Sequence, residues 1–520
     1  MKERSRYWLV AGLLALAFDR LFWNVDHGIN FPLFAVLCVA GGFLVLGKEG
    51  HRPAPSVFLL VLPLGFFAWG SFCRLEPLAH VLSCAWVLLF MGLLAVYYRT
   101  SEWWRTDVWQ TLWSFLKLLT TAVAHGFIYR SPNPSPGQGE PAPKPGWIAP
   151  VVRGLLVALP VTGLFALLLA RADAVFARYL ASWFSFRALA EAVFRLSYML
   201  FGAYLLVGVF TFVARETEKE PAQSRQHGTV SSFLGGIEAN VVLAAVDVLF
   251  SFFVLIQVRY FFAGKANLEE LGLTYSEYAR RGFGELLAVA FLSLVLILGL
   301  QRSTEQQSAR GQRLFLALSV LLVLLVGVIL LSAFQRLGLY EEAYGFTRAR
   351  LYAHTLMVWI GVALGAVLAL ELAKARRWVV HGLLLSAVGF SAHLVASSVD
   401  ARVARANVAR FASGANLDVA YLAYLSSDAV PAMSRLFQDP RLPQSSREAL
   451  GASLICWTWR HRNWNAPAPW QEFHLSRWRA RRALAAVMPS LAGYQKEETS
   501  EGKTVRTPSG QTFSCIAACR

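Results

Sequence analysis

The residues best able to do chemistry in this sequence are ionisable groups set inside or beside long apolar runs. A charged side chain at the centre of a bilayer span costs about 2.5–3.5 kcal/mol on insertion scales, so each one calls for a partner or a task. Asp247 stands near the middle of the run 239–262, and Asn240, seven residues earlier, shares its helical face. A carboxylate there can bind a cation, carry a proton, or join two helices through a buried hydrogen bond or ion pair. Glu277, Arg281 and Glu285 recur every four residues and stack on one face of a helix entering the membrane. Opposite charges at that spacing offset each other's desolvation. A comparable group opens a later run: Glu341, Glu342, Tyr344, Arg348 and Arg350, with His354 one turn on. Asp173 with Arg178 makes a third. Placed on one side of a membrane, the three groups either line a shared cavity or act as separate interface anchors. His393 and Asp400, seven apart at the end of the last run, can join them.

No complete catalytic constellation accompanies these groups. The sequence has no His-Glu-x-x-His pair and no nucleophile elbow. Gly42, Gly47 and Lys48 imitate a phosphate-binding loop, but Glu49 stands where Ser or Thr is needed, and the segment is apolar rather than strand-then-helix. Cys38, Cys73 and Cys84 fall in apolar runs, where a thiol is a small hydrophobe. Cys515 and Cys519 lack further ligands at metal spacing, and they are expected to be free thiols, or to pair if they face an oxidising compartment. No cofactor and no metal are expected.

The elements that must position these residues are membrane helices. Hydrophobic residues make up 56% of 520 positions and charged residues only 16%, with a mean hydropathy of +0.46. A water-soluble fold usually carries about 25% charged residues. The apolar residues come in runs of about 20, the length a helix needs to cross about 30 Å of hydrocarbon. The fold class is therefore all-α: a polytopic transmembrane helix bundle of about eleven spans with a C-terminal, largely helical soluble tail. Spans are expected at 7–23 (uncleaved), 31–46, 56–72, 78–97, 148–169, 189–214, 239–262, 283–300, 314–334, 351–372 and 379–398.

Residues 1–130 make an N-terminal block of four spans plus an amphipathic helix over 103–129. Its apolar face carries Trp104, Val108, Leu112, Phe115, Leu119 and Val123, a pattern suited to lying in the interface. The Pro-rich stretch 131–147 is an extended linker. Residues 148–398 form a block of seven spans; Gly361 and Gly365 there form a GxxxG suited to close helix packing. Residues 399–520 form a basic, Trp- and Arg-rich tail whose end, after Gln495, is expected to be disordered. The net charge of +17 is placed mainly between spans and in the tail. There it meets anionic lipid headgroups rather than nucleic acid. Interspan Arg and Lys number nineteen on the N-terminal side and ten on the other, which puts the N-terminus in the cytoplasm and the tail outside.

Several strings resemble a bacterial family of polytopic membrane proteins known only as a domain of unknown function. They are VRGLLVALP at 152–160, ADAVFA at 172–177, NVVL at 240–243 with Asp247 and Gln257, TYSEYARRGFGEL at 274–286 and YGFTRARLY at 344–352. Asn407, Leu417 with Asp418, and DAVPA at 428–432 complete the set, with an echo in LSRWRARRAL at 475–484. The resemblance runs from about 150 to about 435, the earlier spans matching only in character. It implies a membrane fold and no activity.

Three roles fit. The first is a non-enzymatic regulatory or scaffolding component of the bacterial inner membrane, its tail open to a protein partner. The second is an ion-coupled transporter or permease whose path is lined by Asp247, Glu277, Arg281, Glu285 and Arg350. The third is a membrane enzyme acting on lipid-linked substrates, with Glu277 or Glu285 as acid or base and Arg348 on phosphate.

Overall fold

A computed structural model describes residues 2–128 apart from 101–105 and 107, scattered positions between 158 and 176, then 187–215, 235–262 and 283–303. It also describes 308–515 apart from 376–377, 415–416, 462 and 500–501. The chain forms two compact units. One comprises residues 1–72, 84–224 and 468–473; the other comprises 73–83, 225–467 and 474–520.

The first unit contains α1 (Lys2–Phe22), α2 (Asn30–Lys48), α3 (Phe58–Cys73), most of α4 (Pro77–Val96), α5 (Val108–Ile128) and α6 (Arg187–Arg215). Helix α6 packs against α1 and α5. Helix α5, the amphipathic segment, lies along α6 with almost no space between the backbones. A Cβ on Gly208 would stand 2.5 Å from the Ala122 Cα.

The second unit holds α7 (Gly236–Phe262), α8 (Phe283–Ser303), α9 (Ala309–Tyr344), α10 (Arg348–Leu372) and α11 (Val379–Ser397). Contacts between named residues fix their directions. Asn240 meets Gly311 and Gln257 meets Ser332, so α7 and α9 run parallel and the chain returns through α8 between them. Glu341 meets His354, and Leu330 lies beside Gly361, so α9 and α10 are antiparallel. Helices α10 and α11 form the next antiparallel pair. There the small residue that matters is Gly389, where a Cβ would fall 2.0 Å from the Trp359 ring. Gly361 meets only an ordinary contact and Gly365 none, so the expected GxxxG is not the tight point. With this alternation, the tail leaves the bundle on the side opposite the start of α7.

Eight helices among the described residues are long and apolar enough to cross a membrane. Helix α8 is a shorter apolar helix, α1 and α5 fall outside that group, and the run 148–169 lies almost wholly outside the described residues. Burial inverts the pattern of a soluble protein. On α7, Asp247 is 2% exposed while its neighbours Val248 and Leu249 are 70% and 61% exposed. Water would penalise that surface; hydrocarbon accepts it. At about 1.5 Å per residue the 36 residues of α9 outrun the hydrocarbon, so its end must stand clear of it.

The tail is a folded domain. Helices α12 (Val399–Ala412), α13 (Val419–Tyr424) and α14 (Val430–Gln438) pack against α15 (Gln444–Arg460), most of whose residues are buried, and α16 (Leu475–Val487) packs on α14. Residues after Gln495, expected to lack structure, form three antiparallel strands: β1 (Gln495–Thr499), β2 (Gly502–Arg506) and β3 (Thr512–Ser514). Val505 is fully buried, and a disulfide joins Cys456 to Cys515 with 5.3 Å between the Cα atoms. That pairing replaces the expected Cys515–Cys519 alternatives, Cys519 lying outside the described residues. Polar composition hid the sheet because a three-stranded edge sheet needs few apolar residues once a crosslink ties it to a helix. Trp457, expected at a membrane surface, is 3% exposed and donates its indole N–H to the Leu425 carbonyl at 3.2 Å.

The disulfide spans 59 residues, and its loss is expected to destabilise the tail by about 2–4 kcal/mol. Cys456→Ser should lower the melting temperature of the detergent-solubilised chain, and a reductant should lower it for the unaltered chain but not for the variant. Equal melting with and without reductant in the unaltered chain would show that the crosslink bears no load.

Candidate functional site

Two polar features stand out in the second unit, one inside the bundle and one where the bundle meets the tail. The first is a seam along the α7–α9 contact. At one end Asn240 donates to the Gly311 carbonyl at 3.4 Å. At the other, the Gln257 side-chain carbonyl accepts from Ser332 at 3.2 Å and from Arg336 at 3.0 Å. Asp247 lies between. Its two carboxylate oxygens are buried and have no hydrogen-bond partner among the described residues. The offsets of 71 and 75 residues at the two ends put Asp247 level with residues 318–322. Ser319, in that stretch, is also buried with an unpartnered hydroxyl. Asn240 and Gln257 join α7 to α9, while Asp247 meets no partner among the described residues.

The second feature is the joint formed by the α9–α10 turn, α12 and the start of the tail. Arg348, first residue of α10, grips Asp400 with two hydrogen bonds, Nε to Oδ1 at 2.6 Å and Nη2 to Oδ2 at 2.7 Å. Asp400 is fully buried and also accepts the Ser426 N–H at 2.8 Å. The Arg348 N–H donates to the Tyr421 hydroxyl at 2.9 Å, and the Thr347 side chain caps α10. Asn407 of α12 holds Phe346 at both its N–H and its carbonyl, each at 2.8 Å. Arg410 donates to the last carbonyls of α9, at Glu342 and Ala343. Gly345 adopts φ +83°, and a Cβ there would stand 2.8 Å from the Asn407 Oδ1, so both backbone and space require glycine.

The same joint extends to residues 74–76. Asp428 accepts the N–H groups of Leu75 and Glu76 at 2.8 and 2.9 Å. Glu76, nearly fully buried, caps α4 through the N–H groups of Leu78 and Ala79. Burial pushes both carboxyls above the usual carboxylate range, although the N–H donors pull the other way.

The remaining expected site residues fall apart into separate settings. Arg350 donates to the Gly345 carbonyl and lies 4.1 Å from the centre of the Tyr340 ring. His354 pairs with Glu341 at 3.2 Å, bridging α9 and α10. Glu285 is exposed in the first turn of α8. Glu277, Arg281 and Arg178 lie outside the described residues. Asp173, in the first unit, is exposed and accepts the N–H groups of Val175 and Phe176, which hold its carboxyl below its usual value. His393 takes no part in the joint, whereas Asp400 is its centre.

Sequence reasoning passed over Asp19, although an acid inside the run 7–23 is the same signal that singled out Asp247. Asp19 is buried and gripped by Arg195 at 2.8 Å and by the Tyr198 hydroxyl, with Trp23 stacked beneath Arg195 at 5.1 Å. Glu76 carried no signal, since it lies in a short polar connection, and Asp428 stood out only as the first residue of the DAVPA string.

Arg348→Ala strands a buried Asp400 and is expected to cost about 3–5 kcal/mol, read as lost protein or a large fall in melting temperature. Arg348→Lys, unable to make both bonds, should recover only part of it. Asp400→Asn combined with Arg348→Met should lie closer to the unaltered protein than either single change, and additive losses in that double variant would refute a coupled pair.

The family model described as Domain of unknown function (DUF4153) matches residues 57–436, starting well before the stretch whose strings carried the resemblance. No curated protein and no solved structure matches the chain.

Proposed function

We propose that this chain, which belongs to that family of unknown function, is a non-enzymatic component of the bacterial inner membrane whose bundle holds the tail domain fixed at the outer surface for a partner to dock. The observation that carries this reading is the Arg348–Asp400 pair. A two-bond ion pair with one partner fully buried ties the domain's first helix rigidly to the last helical hairpin. Two further facts support an outward-facing tail. Interspan Arg and Lys are in excess on the N-terminal side. The tail also carries a disulfide, which persists in an oxidising compartment. The enzyme reading loses its phosphate contact, because Arg348 is committed to Asp400.

A second reading, proton or cation handling within the bundle, is favoured by Asp247 alone. Natural chains seldom keep an unpartnered ionisable group in a span without use for it. If Asp247 serves such a role, Asp247→Leu should raise the melting temperature while abolishing a proton- or cation-dependent activity of the protein in vesicles. A variant that is destabilised, with vesicle fluxes unchanged, would return Asp247 to a structural role.

The outward tail is checked by an impermeant thiol reagent on intact cells. The probe is Glu498→Cys, on the sheet, in a chain lacking Cys38, Cys73, Cys84 and Cys519 but keeping Cys456 and Cys515. Labelling is expected without permeabilisation. Labelling only after permeabilisation would put the domain in the cytoplasm and end the reading.

A further inference from the structure

A cavity of about 240 Å³ opens in the second unit at the corner where α11 gives way to α12 and meets the starts of α14 and α16. Three guanidinium groups line it, those of Arg74, Arg435 and Arg479, together with Ser398, Ser427 and Ser476. Asp428 is the one acid in the lining. It is committed to the backbone of Leu75 and Glu76 and to the Ser476 hydroxyl. Arg74 is held in place by the carbonyls of Val395 at 2.6 Å and Ala396 at 3.2 Å, at the end of α11. Arg435 is anchored through Nε to Pro431 at 3.1 Å, which leaves its terminal nitrogens available. Arg479 has no hydrogen bond or ion pair with another described residue, and it shares the exposed mouth of the cavity with Arg435. Ser476 is buried, and its hydroxyl lies against the Asp428 carboxylate.

Three arginines around one polar hollow outnumber its single acid, so a further anion relieves their mutual repulsion. Planar guanidinium forks match the oxygens of a phosphate group. The cavity also adjoins the end of an apolar helix. Ser398 is the residue directly after the apolar helix α11, and Arg74 directly follows the apolar run that ends at Cys73. Trp478, exposed beside Arg479 and stacked under Arg482 at 5.0 Å, has the amphipathic character of a side chain at a membrane surface.

We propose that this cavity is a binding site for a phosphate group, delivered either by the headgroup of an anionic phospholipid or by a free phosphate anion. The proposal stands apart from the docking role above, since it concerns a ligand of the joint and is read out by binding rather than by topology or partner capture. Arg435 and Arg479 select the anion, and Arg74 forms the fixed wall against which it sits.

The test uses the full chain in nanodiscs of phosphatidylcholine alone or with added phosphatidylglycerol, and compares it with Arg435→Ala/Arg479→Ala. Both changed side chains are exposed, so the variant is expected to fold, and a melting temperature close to that of the parent in phosphatidylcholine verifies this. A rise in melting temperature with inorganic phosphate in phosphatidylcholine discs, surviving comparison with potassium chloride of matched ionic strength, identifies a free anion as the ligand. A rise on adding phosphatidylglycerol, reversed by excess inorganic phosphate, identifies the lipid. In either case the double variant should need at least about tenfold more ligand for the same rise, the expected loss for two charge-assisted contacts. The proposal is overturned if neither ligand stabilises the parent beyond the chloride control, or if the double variant responds as the parent does.

Discussion

Asp400 has no access to water, and its charge is met by one cation, Arg348, brought to it from another helix. The pair forms only when the first residue of α10 and the first turn of α12 are in register. It therefore fixes where the tail begins relative to the last hairpin of the bundle. A buried ion pair adds little net stability compared with apolar packing, but breaking it is costly, so it selects one arrangement against near alternatives. Around it several polar groups are satisfied in the same place. Asn407 covers both polar groups of Phe346, Arg410 closes the carbonyl end of α9, and Gly345 supplies the one backbone shape that lets Asn407 approach.

The bundle obeys a different constraint. Hydrocarbon offers no hydrogen bonds, so polar side chains on spans must meet each other or the backbone of a neighbour. Ser83, Ser293, Thr355, Ser386 and Ser391 do so by turning back onto the carbonyl four residues earlier. Asn240 and Gln257 reach across to α9. Asp247 does neither, and this separates it from every other buried polar residue at its depth in the second unit's spans except Ser319. The contrast gives the seam its interest: its two ends are tied and its middle is open.

The tail is held together by a buried helix and a crosslink. Its core is helix α15, buried on nearly all sides, with Trp457 hydrogen-bonded to the backbone of Leu425 and the sheet locked on by Cys456–Cys515. Positive charge is left over at the face nearest the end of α11, and there the arginine-lined cavity opens. Anchoring by the ion pair and recognition of an anion thus occupy neighbouring parts of one joint. The family match ends at residue 436, after the joint but before α15 and the sheet. The matched part thus contains the ion pair but not the disulfide.

The helical membrane class and the position of most spans were determined by the sequence alone, and Asp247 was legible there as an acid inside an apolar run. Each depends on local quantities: apolar run length, periodicity, and the cost of a charge in hydrocarbon. Asp400 was legible as a polar end of the last span, and YGFTRARLY was legible as a distinctive string. That the two meet was not, because their union depends on segments more than fifty residues apart. The partner of Cys456, the strands after Gln495 and the burial of Trp457 were likewise decided only by tertiary contacts. A Trp among arginines reads as a surface residue until a helix closes over it, and a polar strand reads as disorder until a crosslink and a neighbour supply its edges. The cavity had no signature at all, since Arg74, Arg435 and Arg479 come from three distant stretches of chain and converge only when the joint is made.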